Sequence, residues 1–359
     1  MKCVIPLIEV NNRLMEKRGT TEAQRKGGVP NQTVYFKNKP CILGGFSIVG
    51  PKEGKGLLGE TFSHVMDDDY FGEKTHEQAE QKMFEHAIRG ATEAAGLLPD
   101  DVDMILAGDL LNQIISATFA ARSFDTPFVG LYGACSTMAL SLATGAVMVD
   151  GGYRNNVVVA AGSHFATAER QYRTPLELGN LRHPASQWTV TGVGATALGT
   201  NRPGQPIITA VTFGKVCDWG VLDVNNMGAA MAPAAAETLV AHFRDTGTTP
   251  EDFDAIFTGD LGQLGEQALR DLMANQNYAL DSRYTDCGRM IFASTQNQYM
   301  GGSGCGCSAV CLNGFILNKL HEGKLKKILF VATGALLSPV SSFQGNTIPS
   351  VAHCVRIEV

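Results

Sequence analysis

The stretch that decides the fold runs from Pro127 to Gly152 and reads PFVGLYGACSTMALSLATGAVMVDGG. It begins with a short apolar segment typical of a strand, turns tightly at Gly133-Ala134, and presents Cys135. The long apolar segment that follows is rich in small residues and predicts a buried helix ending at Gly151-Gly152. The free N–H groups at a helix start lower the pKa of a cysteine. Cys135 is therefore either a functional thiolate or an ordinary buried cysteine.

Composition and charge limit the class of protein. The chain has 359 residues, of which 44% are hydrophobic and 18% are charged. This suits two or three domain-sized units, or one large duplicated fold. The net charge is −6 and the basic residues are scattered, so we expect no nucleic-acid binding.

The nine cysteines predict a reduced compartment rather than a disulfide framework, because their number is odd and no signal peptide precedes them. Cys305, Cys307 and Cys311 are close in sequence, but no further His or Cys spacing completes a zinc site, so we predict no metal site. The uncharged run between Asp125 and Asp150 is long enough to cross a bilayer. Its glycine, proline and hydroxyl residues favour strand, turn and helix instead.

Several elements can be placed along the chain. Residues 1–32 are polar without apolar periodicity, and we expect a flexible extension. Residues 75–96 predict an amphipathic helix with Thr75 as its N-cap. A buried strand over 104–107 ends at Gly108-Asp109, and α/β folds keep their sites at such strand ends. Asp109 is thus a site candidate, with capping of the next helix as the alternative.

A second buried strand, over 157–161, is followed by His164, which is either a pocket residue or a hydrogen-bonded structural histidine. Arg170 and Arg173 come next, and they either meet an anion or pair with a local acid.

The second half of the chain repeats the first. Residues 247–265 match 96–113 at a shift of 151, which places Asp260 opposite Asp109. The match resumes at a shift of 172, where Cys135-Ser136 falls on Cys307-Ser308, Gly151 on Gly323, and VVVAAG (157–162) on LFVATG (329–334). We predict a duplicated α/β fold, with halves at 33–200 and 201–359 and a shared pocket at the pseudo-twofold interface.

A duplicated βαβ fold with a cysteine at a helix start resembles the thiolase fold, layered α-β-α-β-α, which includes the condensing enzymes of fatty-acid and polyketide synthesis. In those enzymes the cysteine is acylated, and a His and a His or Asn from the second half polarise the thioester. Here the strand end that would supply the first His reads TGDLGQLG (258–265). The region that would supply the Asn reads YMGGSGCGCSA (299–309), with Ser303 near the expected place. Condensing activity is therefore not expected.

A closer resemblance is to the stage V sporulation protein AD family of endospore-forming bacteria. It covers about nine tenths of the chain, from about residue 49 to the C-terminus. The motifs that carry it are, in order, VGPKEGKGLLG, AGDLLNQ, YGACSTMA, SHFATAERQYRTPLE, TVTGVGATALG, GKVCDWGVLD, MGAAMAPAAAETLVAHF, GGSGCGCSAV, VATGALLSP and TIPSVAHCV.

The resemblance implies a non-catalytic protein that binds dipicolinic acid, alone or as Ca-dipicolinate. It implies integral membrane partners that move this compound during sporulation and germination, and a peripheral place at the spore inner membrane after synthesis in the cytoplasm of the sporulating cell or forespore. We expect no cofactor beyond Ca²⁺ carried with the ligand, and a homodimer, as is usual for this fold.

The residues that the resemblance carries over as ligand-binding are Asp109 and Cys135. The further pocket candidates are Asn112, His164, Asp260, Ser303 and His353. Two alternatives stay open: an acyl-thioester condensing enzyme that uses Cys135 as nucleophile, and a structural scaffold whose pocket is vestigial.

Overall fold

The computed structural model describes residues 32–172 and 181–359, and Gln32–Val359 form one compact unit. Of the predicted extension over 1–32, only Gln32 lies within the described residues, and Arg173 lies outside them. The strands, in chain order, are β1 (Thr33–Tyr35), β2 (Cys41–Val49), β3 (His64–Val65), β4 (Met104–Gly108), β5 (Phe128–Gly130), β6 (Asn156–Ser163), β7 (Trp188–Thr189), β8 (Gly192–Gly199), β9 (Ile207–Phe213), β10 (Ala255–Thr258), β11 (Tyr284–Asp286), β12 (Gly302–Ser303), β13 (Lys327–Ala335) and β14 (Ser350–Glu358).

Helices alternate with these strands. In chain order they are α1 (Pro51–Gly54), α2 (His76–Ala94), α3 (Ile115–Ala121), α4 (Thr137–Asp150), α5 (Phe165–Tyr172), α6 (Met227–Thr246), α7 (Gly262–Asn275), α8 (Cys287–Met290), α9 (Cys305–Val310), α10 (Leu317–His321) and α11 (Pro339–Phe343). A π-helical segment, Cys311–Ile316, joins α9 to α10. The helix predicted over 75–96 is confirmed, since Thr75 Oγ1 accepts the Gln78 N–H at 3.2 Å before α2.

The strand order shows the duplication. In the described part of the chain, ten strands run in the order β11-β10-β13-β14-β9-β2-β8-β6-β4-β5. The middle of this order lies between β9 and β2. Counted outward from it, the strands at equivalent positions in the two halves are β2 and β9, β8 and β14, β6 and β13, β4 and β10, and β5 and β11. β4 is parallel to β5 and β6, just as β10 is parallel to β11 and β13. Both halves therefore have the same topology.

Three clusters of buried apolar side chains pack five layers of helices and sheets against one another. The outer cluster of the first half packs α2 on the sheet through Phe84 and Ile88. That of the second half packs α6 and α7 through residues such as Phe243. The central cluster contains residues of α4, such as Met138 and Leu142, together with α9 and the inner faces of both half-sheets. The predicted α-β-α-β-α thiolase-like layering is confirmed.

The repeat is one residue out of the predicted register at β6 and β13, whereas β4 and β10 keep the predicted shift of 151. Side chains alternate along a strand. In β6, Val157 points to the central cluster and Val158 to the outer one. In β13, Ile328 points to the central cluster and Leu329 to the outer one. Residue 157 therefore corresponds to 328, a shift of 171, and the match to residue 329 was wrong.

The predicted pairing of Cys135 with Cys307 was also wrong. The Thr137 N–H bonds to Ala134 O, and the Cys307 N–H bonds to Gly304 O, so the shift at the helix start is 170. At the helix end, Gly152 (φ +70°) corresponds to Gly323 (φ +69°), a shift of 171. A π-helical turn adds one residue to a helix, and the segment Cys311–Ile316 accounts for the difference. Cys305 is therefore the counterpart of Cys135.

Candidate ligand-binding site

The turn before α4 fixes the position of Cys135. Ala134 adopts a left-handed conformation (φ +49°), which reverses the chain between β5 and α4. Two hydroxyl groups of the next residues close the turn: Ser136 Oγ donates to Gly133 O and Thr137 Oγ1 donates to Ala134 O, both at 2.6 Å. The turn rests on β13, where a Cβ on Gly334 would lie 2.1 Å from Gly133 O. The Cys135 side chain is thereby held at the boundary between the two halves.

Asp260, which follows β10, contacts Cys135 across that boundary. Its Oδ2 accepts the Gly304 N–H at 2.9 Å, and its Oδ1 accepts the Thr333 hydroxyl at 3.2 Å. The Cys135 thiol lies near this carboxylate, and each group affects the pKa of the other. Burial raises the pKa of Asp260 to about 7.

The Cys135 thiol is protonated at neutral pH. Burial raises its pKa well above the usual value, and the nearby charge of Asp260 raises it further. The helix-start effect that predicts a thiolate from sequence is outweighed here. A protonated thiol can donate a hydrogen bond.

The two segments expected to supply catalytic partners do meet at Cys135. The strand end 258–265 contributes Asp260, and the region 299–309 contributes Gly304 and Ser303. Ser303 lines the same pocket as Cys135. Among the residues that the structure describes, no histidine lines this pocket, so Cys135 has no imidazole base there.

The pocket lies between the halves and has about 550 Å³ of space, part of it open to solvent. Its size is that of a small-molecule site. Most of the described lining residues are apolar, and the polar side chains among them carry hydroxyls, the Cys135 thiol and the Glu169 carboxylate. The lining residues are Leu110, Tyr132, Ala134, Cys135, Ala168, Glu169, Tyr172, Thr189, Val224, Met227, Ser303, Ala335 and Leu337.

The wall at Leu110 is held by a network of hydrogen bonds. Leu110 O accepts hydrogen bonds from the Tyr172 hydroxyl and from Gln171 Nε2. The Tyr172 hydroxyl also lies 3.3 Å from that of Tyr132. The backbone of Asn112 donates to Gln171 Oε1 at 3.0 Å. The loop after β4 and helix α5 thus form one continuous side of the pocket.

Asp109 supports this wall from behind. It is fully buried and does not line the pocket. Its Oδ1 accepts the Leu111 N–H and its Oδ2 accepts the Ala117 N–H, each at 2.8 Å. Burial raises its pKa to about 6, against the opposing effect of these N–H groups. These contacts are those of the capping alternative, and direct ligand binding by Asp109 stays a prediction.

Three other candidates lie away from this pocket. Asn112 is exposed, and its backbone rather than its side chain joins the network above. His164 is buried, with Nε2 2.8 Å from Asp69 O. His353 lies on β14, where its Nδ1 accepts the Gly214 N–H at 3.3 Å. Both histidines have lowered pKa values through burial.

Sequence reasoning missed Tyr132, Tyr172 and Glu169, which line the pocket, and Arg182, which pairs with Glu169 at 3.1 Å. Tyr172 and Glu169 belong to the motif SHFATAERQYRTPLE, which also contains Arg170. That motif was the signal in the sequence that could have identified them. Arg170 itself pairs with Glu77 at 2.6 Å, as the local-acid alternative predicts.

Neither a metal centre nor a membrane span is apparent within 32–172 and 181–359. These ranges contain no group of three His, Cys, Asp or Glu side chains placed to hold a metal ion. Their helices are all too short or too polar to cross a bilayer.

The fold and the buried cysteine at its centre define a thiolase-like protein. The chain is similar to the cerulenin-bound OleA of Xanthomonas campestris (TM-score 0.59, 14% identity, 91% of this chain and 98% of that one). It is also similar to 3-oxoacyl-[acyl-carrier-protein] synthase III of Aquifex aeolicus VF5 (TM-score 0.53, 13% identity, 89% and 100% coverage). These likenesses establish the fold.

The sequence identifies the family. Residues 30–358 match the family model of stage V sporulation protein AD (SpoVAD). The chain is 42% identical over 327 residues to the stage V sporulation protein AD of Bacillus subtilis (strain 168), covering 91% of this chain and 96% of that protein. The chain belongs to the SpoVAD family, so the predicted resemblance is confirmed.

Proposed function

We propose that this protein binds dipicolinic acid, alone or as Ca-dipicolinate, without transforming it. The observation that carries the proposal is the pocket between the halves, in which Cys135 is protonated by its surroundings and has Asp260 rather than a histidine as its partner. The pocket resembles a condensing-enzyme site in having a cysteine at a helix start. Its other groups suit ligand binding rather than acid–base catalysis.

The shape of the pocket suits a flat aromatic acid. Tyr132 and Tyr172 contribute aromatic surface, and Met227 and Leu337 contribute apolar surface from the second half. The hydroxyl of Ser303 is a donor for a carboxylate oxygen. A narrow apolar slot with a few placed donors is the usual form of such a site.

The charge of the pocket bears on how the ligand arrives. Dipicolinate is a dianion, and the carboxylates of Glu169 and Asp260 repel it unless a cation or proton intervenes. Asp260 has a pKa of about 7, so it is partly protonated near neutral pH. Ca²⁺ carried with the ligand would remove the remaining repulsion, since its preferred ligands are oxygens.

The proposal extends to the setting of the protein. We propose that it is a homodimeric subunit of the membrane channel system that moves dipicolinic acid in sporulation and germination, and that it lies peripherally at the spore inner membrane through integral membrane partners. Family membership supports the sporulation role. Co-purification of the membrane partners from sporulating cells tests the assembly, and light scattering tests the dimer.

Calorimetric titration with dipicolinic acid, with and without Ca²⁺, tests the binding proposal. We expect saturable binding by the wild type and a loss of at least tenfold, about 1.4 kcal/mol, in Cys135→Ala and Asp109→Ala. Arg170→Gln, on the Glu77 side of α5, is the control. A folded wild-type protein that binds no dipicolinic acid contradicts the proposal.

One observation favours a second candidate, an acyl-thioester enzyme: Cys135 lines a pocket in a fold shared with condensing enzymes. Incubation with an acyl-CoA followed by mass spectrometry distinguishes the two. Rapid acylation of Cys135 with turnover supports the enzyme, whereas an unmodified thiol supports the binding protein.

A further inference from the structure

The ion pair between Glu169 and Arg182 forms one side of the pocket wall. Arg182 Nη1 lies 3.1 Å from Glu169 Oε2, and Glu169 lines the pocket. The other carboxylate oxygen, Oε1, accepts the Thr189 hydroxyl at 3.5 Å, and Thr189 lines the pocket as well. The guanidinium therefore contacts a residue that lines the pocket.

Arg182 has donor capacity left over. Its Nη2 donates to Gln187 O, but its Nε is buried and has no acceptor among the described residues. A guanidinium can bind a carboxylate through two parallel N–H groups. The present contacts thus leave one buried donor of a strong carboxylate-binding group unused.

Aromatic rings fix the place of this cation. The guanidinium carbon lies 5.1 Å from the ring centre of Trp188 and 5.6 Å from that of Phe165, and these two rings stack at 3.9 Å. Lys52 Nζ lies 4.0 Å from the centre of the Trp188 ring. Two cations therefore share one aromatic stack behind the pocket wall.

Two cations lie at this aromatic stack among the described residues. They are Lys52 and Arg182, and Arg182 forms an ion pair with Glu169. The carboxyl of Glu53 adds little negative charge near neutral pH, because burial raises its pKa to about 8. An anion that displaces Glu169 from Arg182 would enter a region of favourable potential.

We propose that Arg182 recognises a carboxylate of the ligand and that Glu169 competes for the same guanidinium. A ligand carboxylate that enters at Thr189 takes the place of Glu169 at Arg182, while the ring of the ligand lies in the apolar slot. Glu169 thus occupies Arg182 when no ligand is bound. A weakly charged ligand does not displace it. This inference rests on the proposed binding of an aromatic dicarboxylate.

The test is calorimetric titration of the full chain with four probes: pyridine-2,6-dicarboxylate, benzene-1,3-dicarboxylate, pyridine-2-carboxylate and the neutral pyridine-2,6-dicarboxamide. The variants are Arg182→Gln, Arg182→Lys and Glu169→Gln. Arg170→Gln is the matched control, since its arginine forms an ion pair with Glu77 from the same helix but outside the pocket. Circular dichroism confirms that each variant is folded.

We expect Arg182→Gln to weaken dicarboxylate binding at least tenfold, Arg182→Lys to recover part of the loss, and Glu169→Gln to tighten binding at least threefold. The neutral diamide should not gain from Glu169→Gln. The loss in Arg182→Gln and the tightening in Glu169→Gln are decisive only together, because removing the repulsive charge of Glu169 alone would tighten binding without any role for Arg182.

Three other outcomes show whether the inference, the proposed function or both are wrong. If the wild type binds pyridine-2,6-dicarboxylate but Arg182→Gln and Glu169→Gln behave like the control, the inference is wrong and the proposed function stands. If that probe fails while benzene-1,3-dicarboxylate binds with the expected variant pattern, the proposed function is wrong and Arg182 keeps its role. If no carboxylate binds, both are overturned.

Discussion

Replacing Asp109 with asparagine separates a structural role from a ligand-binding role. Asparagine has one acceptor where aspartate has two, so either Leu111 or Ala117 loses the acceptor of its buried N–H. A buried N–H left without an acceptor costs about 1–3 kcal/mol. Asparagine also removes a buried charge. Raising the pKa of Asp109 from its ordinary value near 4 to about 6 makes ionisation in the fold cost about 3 kcal/mol.

These two effects have different pH dependence. Between about pH 4 and 6 the folded wild type keeps a proton on Asp109 that the unfolded chain has lost, so this residue makes wild-type stability fall as the pH rises through that window. The variant lacks this fall. We therefore expect Asp109→Asn to be less stable than wild type by about 1–3 kcal/mol at pH 4, with the difference shrinking by up to about 3 kcal/mol at pH 8.

Urea unfolding followed by tryptophan fluorescence and circular dichroism measures the difference, and calorimetry measures dipicolinic acid binding by the same samples. Asp286→Asn is the matched control: Asp286 is also buried, has a pKa raised to about 6, and accepts the Leu261 and Gly262 N–H groups at 2.9 Å, yet it does not line the pocket. It should repeat the stability pattern and bind within twofold of wild type. A stability difference for Asp109→Asn that is absent at every pH, together with lost binding, would refute the structural role and favour direct ligand contact.

Two further changes probe the surroundings of Cys135, and a third probes the N-cap of α2. Asp260→Asn should speed the alkylation of Cys135 by iodoacetamide at pH 8 at least threefold, because the charge that raises the cysteine pKa is removed. Peptide mass spectrometry measures the rate, and an unchanged rate contradicts the interaction. Gly334→Ala should lower stability by about 1–3 kcal/mol and weaken ligand binding, since the new methyl group would lie 2.1 Å from Gly133 O and must displace it. Unfolding curves that match wild type would contradict the close packing. Thr75→Ala should cost about 1 kcal/mol in thermal unfolding with binding unchanged, because it removes only the N-cap of α2.

The duplicated fold was predictable because its signals are local. Apolar runs bounded by glycine turns occur twice in the same order, and the Gly-Asp strand ends at Asp109 and Asp260 mark equivalent places. The strand order then follows from pairing each half in the same way. Burial on both faces explains why the central strands lack polar alternation.

The register of the repeat from the Cys135 helix onward was not predictable from residue identity. Matching Cys135 to Cys307 looks better in sequence than matching it to Cys305, since Ser follows both Cys135 and Cys307. The π-helical segment Cys311–Ile316 adds a residue without any break in the apolar pattern. A one-residue shift moves a strand side chain to the opposite face of the sheet, so identity alone places Val157 on the wrong partner.

The pocket was predictable only in part. Cys135, Asp260 and Ser303 lie at strand and helix ends, where the fold itself brings them together. Glu169 and Arg182 meet because α5 and the segment before β7 approach each other, which no spacing in the sequence reveals. Long-range pairs of this kind depend on packing rather than on pattern.

The balance of effects at Cys135 explains why its thiol has a raised pKa although it lies at a helix start. A helix start stabilises a nearby anion by about 0.3–1 kcal/mol, which is less than one pKa unit. Full burial shifts a pKa by up to about 3–5 units in the opposite direction. The carboxylate of Asp260 adds to that shift where a positively charged imidazole would reverse it. Restoring a nucleophile would therefore require a base in place of Asp260, and not merely a more exposed Cys135.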